Sequence, residues 1–148
     1  MNWGYIAGYL DADGTVICNM RNHQYILSWT SIDKLSLVKM KDFMEANGIP
    51  SKLYEGNRRT KAGNTPWVLM VSRRIHIVDL GYLLLPHIVL KKDKLIKLIN
   101  RCNKSMYTRF LNRWKNSQGE KFMNKRLKRT GLTLEKCYEL ACKGELRL

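Results

Sequence analysis

Apolar positions along this chain switch between a helical and an alternating period, and the switches mark its elements. Residues 3–12 (WGYIAGYLDA) read as a short helix ending at Asp13-Gly14. Residues 15–21 then alternate, with Thr15, Ile17, Asn19 and Arg21 on one face and Val16, Cys18 and Met20 on the other. Residues 24–31 alternate again, Gln24, Ile26, Ser28 and Thr30 opposite Tyr25, Leu27 and Trp29. Asn22-His23 supplies the turn, so the pair predicts a β-hairpin with one apolar and one polar face. Asp33 caps a helix over 34–47 that turns Leu35, Val38, Phe43 and Met44 inward. Asn47-Gly48 stops that helix and Pro50 prevents its restart. Residues 51–58 and 66–73 form a second hairpin around a basic, glycine-containing link. Helices follow over 75–85, ended by Pro86, and from 92 to 103.

Two or three further helical stretches are expected, near 105–115, 120–129 and 133–143. The last is the clearest: Thr133 caps it, Leu134, Cys137, Tyr138 and Ala141 form its stripe, and Gly144 ends it. The order αββαββα predicts an α+β fold, one antiparallel sheet with helices on one side, followed by C-terminal helices. No repeat and no proline- or serine-rich linker interrupts the chain. The expected division is a core over 1–102 and a basic helical extension over 103–148 packed on it.

Composition narrows the function. The 148 residues are 45% hydrophobic, enough for a core without disulfide staples, and collagen-like, mucin-like and disordered classes are excluded. The longest apolar stretch, Ile75 to Leu90, is broken by His76, Asp79, Pro86 and His87. It falls short of the roughly 20 residues that span a bilayer, so no membrane partner is expected. Asp11 and Asp13 interrupt the N-terminal apolar run, which argues against a signal peptide. Cys18, Cys102, Cys137 and Cys142 fit no zinc spacing and read as reduced, buried thiols. The expected setting is therefore intracellular: bacterial or phage-host cytoplasm, or an organelle interior. The net charge is +15, and residues 101–130 hold ten basic residues against Glu120 alone. Such an excess calls for a polyanionic partner, with nucleic acid ahead of an anionic membrane.

Gly4, Gly8 and Ala12 stand four apart and form one bare helical stripe. Glycine inside a helix costs about 1 kcal/mol relative to alanine. The stripe makes sense where a second backbone must approach closely. At its end, Asp11-Ala12-Asp13-Gly14 is a poor calcium loop, because Asn22 stands where that loop needs a glutamate.

The segment Ile6-Ala7-Gly8-Tyr9-Leu10-Asp11-Ala12-Asp13-Gly14 resembles the signature of the LAGLIDADG homing endonucleases, with Ala7, Gly8, Asp11, Ala12, Asp13 and Gly14 identical. The element order, the basic hairpin links and the proline-then-lysine stretch 83–92 agree with that family. The resemblance covers roughly residues 2–102. It implies a saddle-shaped antiparallel sheet and a homodimer, since each chain carries one motif. Gly4, Ala7, Gly8, Asp11 and Ala12 would form the contact between copies. It also implies metal-dependent phosphodiester hydrolysis at a long pseudo-palindromic target. Asp13 and the carbonyl of Ala12 would be ligands for Mg²⁺, with Mn²⁺ or Ca²⁺ able to replace it for binding. Asp11 would be structural, at the helix pair. Lys91 takes the place of the active-site lysine, with Lys92 the alternative one register away, and Ser31 that of a polar residue holding solvent.

Double-stranded DNA is the expected partner besides a second copy. The candidate contacts are Thr15, Ile17, Asn19, Arg21, Gln24, Ile26, Ser28 and Thr30 from the first hairpin. Lys52, Tyr54, Asn57, Arg58, Arg59, Ser72 and Arg74 join them from the second. Two alternatives keep the fold: an intron RNA maturase, using the basic 101–130 segment, and a DNA-binding regulator that does not cut. Retention of Asp13 and Lys91 favours cutting.

Overall fold

The structure is a computed structural model that describes residues 1–118, 127–128 and 131–143. Its elements run α1 (Trp3–Asp13), β1 (Thr15–Asn19), β2 (Gln24–Ser31), α2 (Lys34–Ala46), β3 (Lys52–Glu55), β4 (Trp67–Val71), α3 (Arg74–Leu84), α4 (Lys92–Gln118) and α5 (Leu134–Cys142). The strands form one antiparallel sheet in the order β1-β2-β4-β3. The expected αββαββα order and the antiparallel sheet are both present. The chain divides into two compact units, Met1–Asn103 and Lys104–Leu148.

Local chemistry explains most boundaries. Asn2 caps α1 by accepting from the Tyr5 amide at 2.8 Å. Asn19 Oδ1 accepts from the amides of Arg21 and Asn22, which folds the β1–β2 turn, and His23 closes it in the left-handed region at φ +52°. Asp33 caps α2 through the Leu35 amide at 3.0 Å, and Gly48 (φ +78°) ends that helix, as expected. Thr133 Oγ1 accepts from the Lys136 amide at 3.2 Å and caps α5.

Ile6, Ala7 and Leu10 of α1, Leu27 and Trp29 of β2, Leu37, Met40 and Met44 of α2, and Leu69 and Val71 of β4 are buried. Ile77, Leu80 and Leu84 of α3 and Leu95, Leu98 and Cys102 of α4 complete the buried core of the first unit. Trp29 is fully buried, and its indole N–H donates to the Ile6 carbonyl at 3.1 Å, tying β2 to α1. At Gly81 a Cβ would stand 2.6 Å from Ile99 Cγ1, so α3 and α4 pack through a bare backbone. In the second unit, Phe110, Leu127 and Leu132 pack around buried Cys137.

Three expectations change. The helices expected at 92–103 and 105–115 are one element, α4, because no glycine or proline separates them. The inward stripe of α2 is Leu37, Met40 and Met44, and Leu35 is 60% exposed. Both stripes have helical spacing; contact with the sheet selects one. Ala7 is completely buried within its own chain, so it has no surface to offer a second copy. It lies one position from Gly8, which a 3.6-residue period carries to a different side of α1. Most of the helix expected at 120–129, and Gly144, lie outside the described residues.

Candidate active site at the end of the first helix

The C-terminus of α1 is built by two long-range anchors. The Asp11 carboxylate accepts from three successive amides ahead of α4: Val89 at 2.6 Å, Leu90 at 3.2 Å and Lys91 at 2.9 Å. Burial pushes the Asp11 carboxyl upward, but the amides of Val89, Lys91 and Leu90, with the charge of Lys91, outweigh it. The group is held below its ordinary value. The Lys91 ammonium returns the contact, donating to Leu10 O at 2.6 Å and Gly14 O at 2.7 Å, with Ala12 O at 3.5 Å. A cation at a helix C-terminus is favoured by the negative end of the helix dipole.

Asp13 lies between those carbonyls in sequence and is exposed. Gly14 is forced by space: a Cβ there would stand 2.6 Å from Leu10 Cα. Its amide donates to both Tyr9 O and Leu10 O at 3.1 Å, so α1 closes tightly just after Asp13.

The structure thus brings Lys91, Asp11, Ala12 and Asp13 to one place. Ser31 ends β2 beside Thr30, whose carbonyl accepts from Tyr9 Oη at 3.2 Å. The Ser31 hydroxyl itself accepts from the Asp33 amide at 3.0 Å and helps cap α2. Of the stripe, Gly8 and Ala12 are exposed, and a Cβ at Gly8 would meet nothing within 4 Å. Among the described residues of one chain, nothing requires glycine there. Tyr5, three residues before Gly8 on the helix, is 51% exposed, and Val89 and Leu90, whose amides hold Asp11, are 76% and 80% exposed.

Strand parity sorts the remaining candidates. Tyr25, Leu27, Trp29, Leu69 and Val71 are buried and face the helices. The opposite face carries Thr15, Ile17, Asn19, Gln24, Ile26, Ser28, Thr30, Lys52 and Tyr54, as the pattern of alternation predicts. Arg21 lies in the β1–β2 turn and Asn57, Arg58 and Arg59 in the β3–β4 loop, all exposed. Ser72 is exposed just beyond β4 and lines a recess of about 280 Å³ with Pro50, Ser51, Lys52, Met70 and Arg73. Arg74 does not join this face. It opens α3, and its guanidinium stacks over the buried Tyr25 ring at 4.9 Å, because helix α3 starts one residue earlier than its apolar pattern suggests. Val68 and Met70 share the open face through their pairing with Thr30 and Ser28. Sequence reasoning missed them, since strand 67–71 (WVLMV) is apolar throughout and has no alternation to read.

Asp13 and the Ala12 carbonyl are hard oxygen donors, a set that suits a divalent cation of the Mg²⁺ or Ca²⁺ kind. Among the described residues no three metal-ligating side chains come together within one chain.

Residues 2–83, more than half the chain, match the family model for a LAGLIDADG-like domain. The fold is similar to a crystal structure of the homing endonuclease I-CvuI, solved with the I-CreI target and Mg, in which the DNA is not cleaved. The TM-score is 0.53 at 15% identity, covering 69% of this chain and 66% of that one. A second structure of I-CvuI, with its own target and Ca, gives a TM-score of 0.49 at 17% identity over the same shares. A search of curated proteins finds no match. The chain belongs to the LAGLIDADG homing-endonuclease family.

Proposed function

We propose that this protein is a site-specific endonuclease that cuts both strands of a long pseudo-palindromic DNA target as a homodimer, with Mg²⁺ as its metal. The observation that carries this reading is the pairing at the end of α1. An exposed carboxylate, Asp13, is flanked by the carbonyls that Lys91 binds, at the edge of an open, cation-rimmed sheet face.

Each part has a physical reason. Gly8 has open space over it, and Tyr5, one helical turn before it, is exposed, which supports apposition of two α1 helices about a twofold axis. That apposition would place two Asp13 carboxylates together and complete the oxygen donor set. A divalent cation bound there supplies charge neutralisation and a more acidic water. Asp11 fixes the segment carrying Lys91 through three amides, so the lysine's position does not depend on a flexible loop. Lys91 brings a positive charge to the place where phosphate charge would develop, and it does so without reorganising. The open face and the loop arginines hold the duplex.

The test is cleavage of duplexes recovered from a randomised library by binding to the full chain. With Mg²⁺ the recovered sites should be cut on both strands, and with Ca²⁺ they should be bound and left whole. Asp13→Asn should bind and not cut. Binding without cleavage in either Mg²⁺ or Mn²⁺ would establish the non-cutting regulator instead.

A further inference from the structure

The open sheet face has an apolar centre. Ile17 pairs with Ile26 across β1 and β2. Val68 of β4 pairs with Tyr54 of β3, and Met70 lies two residues further along the same strand. Tyr54 Oη points to Met70 Sδ at 3.9 Å, which confirms that these two lie on one face. Ile26 is the diagonal neighbour of Met70, because Ser28, two residues on, pairs with Met70 directly. Together they make an apolar strip across all four strands, from Ile17 to Tyr54, with every member at least partly accessible to solvent.

A strip of this kind costs free energy in water unless something covers it. Its surroundings select the occupant. Arg21, Lys52, Arg58, Arg59 and Lys61 are exposed on the same sheet and its loops, in a chain of net charge +15. A second copy carries the same charge and is repelled at that face. A nucleic acid satisfies the rim, and its apolar centre then needs an apolar group on a base edge. In the major groove of a DNA duplex that group is the 5-methyl of thymine. RNA lacks it, and the major groove of an RNA duplex is too narrow for side chains to read.

We infer that the strip Ile17–Ile26–Met70–Val68–Tyr54 reads thymine methyl groups, making these apolar side chains determinants of specificity for T-rich stretches of the half-site. This rests on the DNA-binding reading above. Thr15, Ser28 and Lys52 beside the strip supply the polar contacts that position it.

The experiment compares duplexes recovered from the randomised library with the same duplexes synthesised with deoxyuridine in place of thymidine. Uracil keeps the pairing and removes one methyl. Binding should weaken about fourfold for each methyl that meets the strip. An Ile17→Ser, Ile26→Ser variant should bind thymidine and deoxyuridine duplexes alike, with an unchanged salt slope. Met70→Gln, nearly isosteric, should reduce the difference and repeats the measurement with the least disturbance to the sheet. Equal binding of both duplexes by the unaltered protein overturns the inference and leaves the DNA-binding reading standing. A thymidine preference that survives in the variants also overturns it, by assigning the methyl contacts to other residues. Failure to retain any duplex overturns the DNA-binding reading itself, and the inference with it.

Discussion

Two aspartates stand two positions apart at the end of α1 and meet opposite environments. Asp11 accepts three amides, and Asp13 faces solvent. The carboxyl of Asp11 is held below its ordinary value, so its stabilisation is complete above the ordinary carboxylate range near pH 4. That stabilisation is lost as the pH falls through the lower folded value. Asp11→Asn should cost about 1–3 kcal/mol at neutral pH, because a carboxamide oxygen satisfies fewer of the three donors. Urea melts from pH 7 down to pH 2 should show the gap between the two proteins closing on the acid side. Beside the catalytic role proposed for it, the Lys91 ammonium closes the α1 C-terminus. Lys91→Ala should slow cleavage at least tenfold with little change in affinity, while lowering stability by roughly 1 kcal/mol. Single-turnover rates measured alongside melts separate the two effects. If Lys92→Ala alone slows cleavage, the lysine assignment shifts by one residue.

At the scale of elements, Gly8 within α1 and Gly14 at its C-cap have opposite requirements. A Cβ at Gly14 would strike Leu10 Cα at 2.6 Å, whereas one at Gly8 meets open space. Gly14→Ala should therefore destabilise the fold by about 1–3 kcal/mol. Gly8→Ala should leave the chain as stable or more so, because alanine favours helix by about 1 kcal/mol. Gly8→Leu should keep the fold, give a monomer by light scattering, and abolish double-strand cleavage. A Gly8→Leu protein that remains dimeric would remove the proposed contact from α1.

For the molecule as a whole, charge is the dominant property, and much of it lies beyond the sheet. Residues 101–130 hold ten cations, among which Arg109 is exposed on α4. The side chains of Arg113, Trp114 and Lys115 lie outside the described residues. Neutralising Arg109, Arg113 and Lys115 should flatten the dependence of log affinity on log salt by up to roughly 2–3 units, as lost phosphate contacts require. Preference among sequences should not change, since phosphates carry none. An unaltered slope on both target and random duplex would mean that these residues support the second unit and leave DNA alone.

Short-range chemistry wrote much of this protein plainly into its sequence. The caps at Asp33 and Thr133, the stops at Gly14 and Gly48, the two alternating strands and the motif over 6–14 are fixed by residues within a few positions of each other. Tertiary structure alone decided what depends on a distant partner. The sheet chose Leu37, Met40 and Met44 over Leu35 as the inward face of α2, although both sets have helical spacing. Pairing with Thr30 and Ser28 put Val68 and Met70 on the open face, where a strand without alternation gives no hint. The bonds from Asp11 to amides nearly eighty residues away, and from Lys91 back to α1, have no local signature at all. A carboxylate and an ammonium show their charge in the sequence, but only the fold determines which backbone groups they satisfy.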